Sequence, residues 1–292
     1  MDAPGATMSD SPNETALHAD HHLLDRLCLD ALRREALAWP KPGLVTPVDA
    51  GSHRDMHIGT FLTGIAALEG TFARLASSAA CGEGLPALRA IGREAEQRML
   101  AATGGVNTHR GAIHNLGFLA VAAVRRRGDP ALAGLTCGGV VAREWGERIS
   151  DSRTGSSDTH GNRVFRRFAA AGARGEAAAG FPTVYRIGIP TLRRLLQAGR
   201  DHETALIGTL LALIEHLDDT NLLWRGGEAG LAFARESAGT FNANGGVGQP
   251  CWREQLVAMH REFVARNLSP GGSADLVAAT LVAHHLDLDG FI

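Results

Sequence analysis

Lysine is almost absent from this chain of 292 residues: Lys41 is the only one, although Lys and Arg together number 29. Arginine therefore carries nearly all of the positive charge. A phosphate-binding P-loop needs Gly-Lys followed by Ser or Thr, but Pro42 follows Lys41. The P-loop nucleotidases are thereby excluded, and a Schiff-base mechanism could use no lysine except Lys41.

The chain also lacks an excess of charge and a long apolar run. Its net charge is −2, so bulk electrostatic attraction to nucleic acid is not expected. The longest apolar stretch, around Ala205 to Ile214, is about half of a membrane span. The N-terminus has neither the basic start nor the apolar core of a signal peptide. We expect a cytoplasmic protein without nucleic-acid or membrane partners.

Cysteine is scarce, and its four positions lie far apart without a Cys-x-x-Cys pair. This spacing predicts free thiols in a reducing compartment. The zinc-protease motif His-Glu-x-x-His and the hydrolase motif Gly-x-Ser-x-Gly do not occur either.

Alternating runs of Val, Ile, Thr and Tyr, which would build a sheet, do not occur. Apolar residues instead recur at helical spacing from Glu14 to Trp39. The pattern predicts a single all-α domain, a helix bundle over residues 14–292, with a disordered tail at 1–13 and a mobile polar loop at 150–162. Further helices are predicted at 56–80, 86–102, 112–127, 131–149, 190–198, 202–217, 226–238, 251–267 and 273–286.

Glycine is abundant, at 36 residues, and it gathers between the predicted helices. Five Gly-rich joints contain charged or hydrogen-bonding residues, and such loops let backbone N–H groups approach an anion. Glycines also cap helices, but five joints of this kind predict a shared polar site. They lie at 40–45, 103–111, 172–182, 218–227 and 269–275.

The joint at 218–227 begins with two adjacent carboxylates, Asp218 and Asp219, followed by the amide of Asn221. Hard oxygen ligands of this kind are those that Mg²⁺ prefers, usually together with phosphate oxygens. The alternative is a solvated helix C-terminus. Two acids there would oppose the helix dipole, which favours a functional reason.

A second cluster, residues 51–56, places His53, Arg54 and Asp55 side by side. His53 and Asp55 could act as general acid and base. Alternatively, Ser52 or Asp55 is the N-cap of the helix that begins near Met56.

The remaining joints offer hydrogen-bonding groups and arginines at predicted helix starts, where anions bind well. The joint at 269–275 resembles a helix start with free N–H groups, and Asp275 could cap it or contact a metal or sugar. The candidate residues in these joints are Asn107, Thr108, His109, Arg110, Arg174, Glu176, Ser269, Gly271, Gly272, Ser273 and Asp275.

Taken in order, PKPGLV, GSHRDM, GGVNTHRGAI, ARGEAAAGFP, DDTN with RGG, and SPGGSAD resemble the triphosphoribosyl-dephospho-CoA synthase family. The resemblance runs from about residue 35 to 286, and GGVNTHRGAI and SPGGSADL are its most specific parts. It implies an all-α transferase that moves the 5-triphosphoribosyl group of ATP to the 2′-hydroxyl of 3′-dephospho-CoA and releases adenine. The product is the prosthetic-group precursor for the carrier subunit of malonate decarboxylase or citrate lyase. A holo-acyl-carrier-protein synthase then attaches it.

Displacing adenine passes through an oxocarbenium-like state, by analogy with glycoside cleavage. Under the resemblance, Mg²⁺ is expected with ATP, held by Asp218 and Asp219. Proton transfer falls to His53, Asp55 and His109. Asp275 is a further candidate for Mg²⁺–triphosphate or ribose. The predicted phosphate clamps are Lys41, Arg54, Arg110, Arg174 and Arg225.

The arginine in GSHRDM, Arg54, favours the malonate decarboxylase branch over the citrate lyase branch. Two other classes stay open. An all-α prenyl-diphosphate enzyme also uses adjacent aspartates, and a non-catalytic paralogue could dock the carrier protein. The sequence does not predict the oligomeric state.

Overall fold

The structure is a computed structural model that describes residues 12–151, 164, 167, 168 and 170–288. It contains no β-strand in these ranges, and the all-α prediction is confirmed. Most of the predicted N-terminal tail, residues 1–11, lies outside the described residues. So does the predicted polar loop from residue 152 onward.

The helices follow the predicted stretches closely. In chain order they are α1 (Pro12–Leu37), α2 (Ile58–Ala66), α3 (Thr71–Ala80), α4 (Leu85–Ala102), α5 (Arg110–Gly128), α6 (Cys137–Asp151), α7 (Gly172–Ala178), α8 (Ile189–Gln197), α9 (His202–His216), α10 (Thr220–Ala243), α11 (Trp252–Ala265) and α12 (Gly271–Leu288). Three single-turn helices of other types lie at Pro130–Leu132, Val184–Gly188 and Gly246–Gly248.

Four predicted boundaries were wrong. The stretch predicted at 131–149 contains the end of a single-turn helix, Pro130–Leu132, and then α6, which begins at Cys137. The stretch 56–80 is two helices, because Gly70 turns the chain with a φ of 76° before α3. The joint at 172–182 contains α7, so it is only partly a loop. The helix predicted at 226–238 begins at Thr220, and Gly227, with a φ of 60°, kinks it rather than starting it.

Helices α5 and α9 form the centre of the bundle. Helix α5 packs against α3, α6 and α12, while α9 packs against α8, α10 and α12. Every residue of α9 from Thr204 to Ile214 is buried, which accounts for the apolar run in the sequence, since a helix surrounded by others is apolar on all faces. No helix in the described ranges has both the length and the apolarity to cross a membrane.

The starts of α10 and α12 are joined by one side chain, Asp219, which is fully buried. It is the N-cap of α10, and its carboxylate accepts from the backbone N–H of Asn221 at 2.9 Å. The same carboxylate accepts from the backbone N–H of Ser273 at 2.7 Å and from its hydroxyl at 2.9 Å. The acid therefore lies at two helix N-termini, where the dipole favours it, rather than at the C-terminus predicted from the sequence.

Asp25 joins α1 to α3 in a similar way. This carboxylate is 5% exposed and accepts from the backbone N–H groups of Gly70 and Phe72, each at 2.9 Å. We expect Asp25→Ala to lower the free energy of unfolding by about 2 kcal/mol, because buried donors at a helix start lose their acceptor. Urea denaturation would measure the change.

Asp30 on the same helix is the matched control, since its side chain is 59% exposed. Asp30→Ala should change stability by less than about 0.5 kcal/mol. Equal effects of the two substitutions would show that Asp25 does not cap α3 in the folded protein.

Candidate active site

A cavity of about 1390 Å³ opens where the helix starts converge. It is larger than the ~300–1,000 Å³ typical of sites for one small ligand. All five Gly-rich joints contribute to its wall, through Lys41, Asn107, Arg174, Asn221 and Gly271 among others. The five joints therefore meet at one cavity, and its role as their shared polar site stays a prediction.

Most of the predicted site residues line this cavity, and three do not. Arg54 is exposed on the surface, whereas Asp219 and Ser273 are buried behind the wall and bonded to each other. The predicted residues that line the cavity are Lys41, His53, Asp55, Asn107, Thr108, His109, Arg110, Arg174, Glu176, Asp218, Asn221, Arg225, Ser269, Gly271, Gly272 and Asp275.

His53 is held between Arg225 and Ser269. Its Nδ1 lies 3.1 Å from Nη2 of Arg225, and its Nε2 lies 2.9 Å from Oγ of Ser269. A guanidinium can only donate, so we assign the ring proton to Nε2, which then donates to Ser269. Burial, and next the charge of Arg225, lower the pKa of His53 to about 4. The imidazole is therefore neutral at physiological pH.

The neighbouring polar residues in the segment 51–57 have structural contacts of their own. The alternative reading of Ser52 or Asp55 as an N-cap was wrong, because His57 caps α2 by accepting from the N–H of Gly59. Ser52 donates to the carbonyl of Leu268 at 2.6 Å. Asp55 lies 3.8 Å from His53 with its side chain 64% exposed.

The other terminal nitrogen of Arg225, Nη1, also forms hydrogen bonds within the protein. Nη1 donates to the carbonyl oxygen of Ser52 at 2.7 Å and to Oδ1 of Asn267 at 2.9 Å. These bonds fix the guanidinium against two loops and leave it facing His53. Its geometry suits positioning as much as phosphate binding.

His109 is the N-cap residue of α5 and is buried. Its Nδ1 lies 2.7 Å from Oγ1 of Thr108, and its Nε2 has no hydrogen-bond partner among the described atoms. Burial, and then the charge of Lys41, lower the pKa of His109 to about 3. The ring is therefore neutral, and its residue lines the cavity with one ring nitrogen unpartnered.

Lys41, a predicted phosphate clamp, is bonded within the protein. Its ammonium is 1% exposed and lies 2.6 Å from the Glu35 carboxylate, and it also donates to the Glu35 carbonyl oxygen. Two of its three donors are therefore used, and a buried carboxylate balances its charge.

Asp275 lies against the start of α5. Its carboxyl group accepts from the backbone N–H of Ala112, and a Cβ built on Gly111 would lie 2.0 Å from its Oδ2. Burial raises the pKa of Asp275 well above its usual range, and the charges of Glu35 and Asp219 raise it further. A carboxyl group of this kind retains its proton to higher pH and can donate it.

The two adjacent aspartates lie in different surroundings. Asp219 already accepts from donors of both helix starts, which fills its carboxylate oxygens. Asp218 is 66% exposed and pairs with Arg235 at 2.9 Å. No group of three or more metal-ligating side chains occurs in the part of the chain that the structure describes. This donor set does not fit a Mg²⁺ ion held by the protein.

Two further predicted residues have protein partners. Arg110 forms an ion pair with Glu96. Glu176 accepts from the hydroxyl of Thr183 at 2.6 Å and from its N–H at 3.2 Å. The second pair holds the turn that follows α7.

Several polar residues of the cavity wall were not predicted, among them the four residues Arg89, Arg93, His114 and Asn115. A signal for two of them was present in the sequence. His114 and Asn115 interrupt an otherwise apolar stretch of α5 directly after GGVNTHRGAI. The two arginines carry no such signal, because surface arginines are common on this chain.

Residues 22–290 match the family of ATP:dephospho-CoA triphosphoribosyl transferases, CitG. The chain belongs to this family. It is 40% identical over 271 residues to the 2-(5''-triphosphoribosyl)-3'-dephosphocoenzyme-A synthase of Pectobacterium atrosepticum, covering 90% of this chain and 88% of that protein. It is also 40% identical to a probable synthase of Pseudomonas fluorescens, with coverage of 91% and 92%.

A probable synthase of the same name from Acinetobacter calcoaceticus is 37% identical, with coverage of 88% and 89%. Among solved structures there is no significant match to this chain. The family membership confirms the resemblance seen in the motifs and makes this chain a transferase.

The buried histidines predict how stability depends on pH. The pKa values of His53 and His114 fall to about 4 and that of His109 to about 3, in each case first through burial. Below about 6.5 the unfolded chain binds protons at these positions that the folded chain does not. These three histidines should therefore lower the free energy of unfolding as the pH falls from 6.5 toward 4, while Asp275, whose pKa is raised, contributes in the opposite direction.

Urea denaturation between pH 7 and 5 tests this, since most carboxyl groups titrate lower. His53→Gln should show a shallower dependence than the unsubstituted protein, because one protonation is removed. An equal slope in both proteins would contradict the assignment of His53 as a neutral buried group.

Proposed function

We propose that this chain transfers the 5-triphosphoribosyl group of ATP to the 2′-hydroxyl of 3′-dephospho-CoA. The bond from ribose C1′ to adenine breaks, and a bond from C1′ to the acceptor oxygen forms. The observation that carries the proposal is the family match over residues 22–290 together with one cavity that the family's motif loops enclose. A volume of about 1390 Å³ suits two nucleotide substrates rather than one.

The balance of protons requires an acceptor for the 2′-hydroxyl and a donor for the departing adenine. His109 lines the cavity, and its neutral ring has an unpartnered Nε2, so it is the proposed acceptor. Asp275 is a proposed donor, since burial raises its pKa and so favours the protonated carboxyl group. Both groups lie at the start of α5, where His109 caps the helix and Asp275 bonds Ala112.

Mg²⁺ remains part of the proposal as the ion that accompanies ATP and neutralises its triphosphate. Its site would be made mainly by phosphate oxygens and water, because Asp219 is already saturated by protein donors. The same geometry weakens the alternative of a prenyl-diphosphate enzyme, which would need adjacent aspartates free to bind metal.

We further propose that the product serves malonate decarboxylase and is passed to a holo-acyl-carrier-protein synthase. Arg54 in GSHRDM supports this branch, and the citrate lyase branch is the alternative. Arg54 is exposed and outside the cavity lining, so it would act on partners rather than on the reaction. Deleting the gene and comparing growth on malonate with growth on citrate would separate the branches.

The reaction itself is tested with purified protein, ATP, Mg²⁺ and 3′-dephospho-CoA. We expect equal amounts of adenine and of an adduct heavier by one triphosphoribosyl unit, measured by chromatography and mass spectrometry. Adenine without the adduct would mean that water is the acceptor. No adenine from folded protein that binds ATP would instead support a non-catalytic paralogue.

His109→Gln should lower kcat by roughly 10²–10⁴-fold, because it removes the proposed proton acceptor. Arg54→Ala is the matched control from the same set of predicted residues, and it should keep near-normal turnover because Arg54 does not line the cavity. Thermal unfolding of both variants must show a folded protein. A kcat for His109→Gln within threefold of the unsubstituted enzyme would rule out this role.

A further inference from the structure

The end of the cavity between α4, α5 and α7 concentrates positive charge. Arg89 and Arg93 lie one turn apart on α4, Arg174 lies on α7, and all three line the cavity. Burial lowers the pKa of Arg89, and the neighbouring charges of Arg174, Arg148 and Arg93 lower it further. The guanidinium groups therefore lie within one another's electrostatic field.

The cavity-lining acids of α4 and α7 are engaged elsewhere. Glu96 forms an ion pair with Arg110, and Glu176 accepts from Thr183. Arg89 and Arg93, one turn apart on α4, hold like charges close together, and an anion between them would be stabilised. The cluster thus has the electrostatic character of an anion-binding surface.

The wall beside this cluster contains buried polar atoms without partners. Asn115 is fully buried and lines the cavity, yet neither its Oδ1 nor its Nδ2 has a hydrogen bond among the described atoms. The Nε2 of His114 is also buried and has no hydrogen-bond partner among the described atoms. A buried polar group that stays unpaired destabilises the protein, so a bound ligand is the expected partner.

His114 connects the two features. Its pKa falls to about 4, first through burial and then through the charges of Arg174 and Arg89. Its ring lies edge-on to Phe118 with 5.0 Å between centroids. The imidazole is therefore neutral, lies within the field of these two arginines, and belongs to a residue of the cavity wall.

We propose that this end of the cavity is a subsite for a phosphorylated ribose. Arg89, Arg93 and Arg174 counter the charge of the phosphate chain, and the Nδ2 of Asn115 and the Nε2 of His114 donate to its oxygens. The Oδ1 of Asn115 needs a donor, which a ribose hydroxyl supplies and a bare phosphate does not. The site rests on the proposed function only for the identity of the nucleotide.

Equilibrium binding tests the subsite without turnover. Isothermal titration calorimetry would compare ATP, 3′-dephospho-CoA and tripolyphosphate on the full chain and on Arg89→Gln/Arg93→Gln. Both arginines are surface residues of α4, so the variant should fold. We expect at least a tenfold loss of affinity for tripolyphosphate and for the nucleotide that binds here.

Arg33→Gln is the matched control, because Arg33 is an exposed helical arginine outside the cavity lining. Loss for ATP alone or for 3′-dephospho-CoA alone identifies the nucleotide bound at this subsite. Unchanged affinity for both nucleotides would overturn the proposal. Nucleotide binding that depends on these arginines, without adenine release, would leave the subsite intact and overturn the proposed function instead.

Asn115→Leu supplies a second test, in which thermal stability and nucleotide affinity should not fall together. Removing two unpaired buried polar atoms should raise the melting temperature of the ligand-free protein or leave it unchanged. The same change should weaken the binding of ATP or 3′-dephospho-CoA more than the binding of tripolyphosphate, because the acceptor for the ribose hydroxyl is lost. A lower melting temperature with unchanged affinity would show that Asn115 is structural and would contradict the subsite.

Discussion

The carboxylate of Asp219 is the constraint on which the site depends. One buried anion accepts hydrogen bonds from the first turns of α10 and α12, so both helices must begin at the same point. Their starts carry Asn221, Arg225 and Ser269 to the cavity wall. His53 is then placed by bonds to two of these residues.

The glycines of the motif loops make this convergence possible. A Cβ on Gly271 would lie 2.4 Å from Nδ2 of Asn221, and one on Gly272 would lie 3.0 Å from Oδ1 of Asp219. A Cβ on Gly111 would likewise collide with Asp275. At these three positions glycine permits helix starts to touch, which differs from the left-handed backbone or anion approach that glycine-rich loops suggest.

Charge is distributed unevenly in the cavity. The deep histidines are neutral because burial lowers their pKa, burial raises the pKa of Asp275, and Lys41 is balanced by Glu35. Neutral donors and acceptors and the paired Lys41 and Glu35 therefore line the interior, while Arg89, Arg93 and Arg174 lie at one end. A second ion pair, between Arg110 and Glu96, also lies in the cavity wall.

The sequence by itself determined the all-α fold and most helix bounds, because helical periodicity and helix-breaking glycines act locally. The shared composition of the five Gly-rich joints also predicted that they meet. The sequence also carried the family, through GGVNTHRGAI and SPGGSADL. Only the tertiary structure decided the burial and the hydrogen-bond partners of individual polar residues. Asp219 is buried between two helix starts while its neighbour Asp218 is exposed. Lys41 is paired with Glu35, whereas the buried carboxamide of Asn115 has no partner among the described atoms. The partners of these groups lie far away in the chain, on other helices, so no local pattern could assign their burial or their bonds.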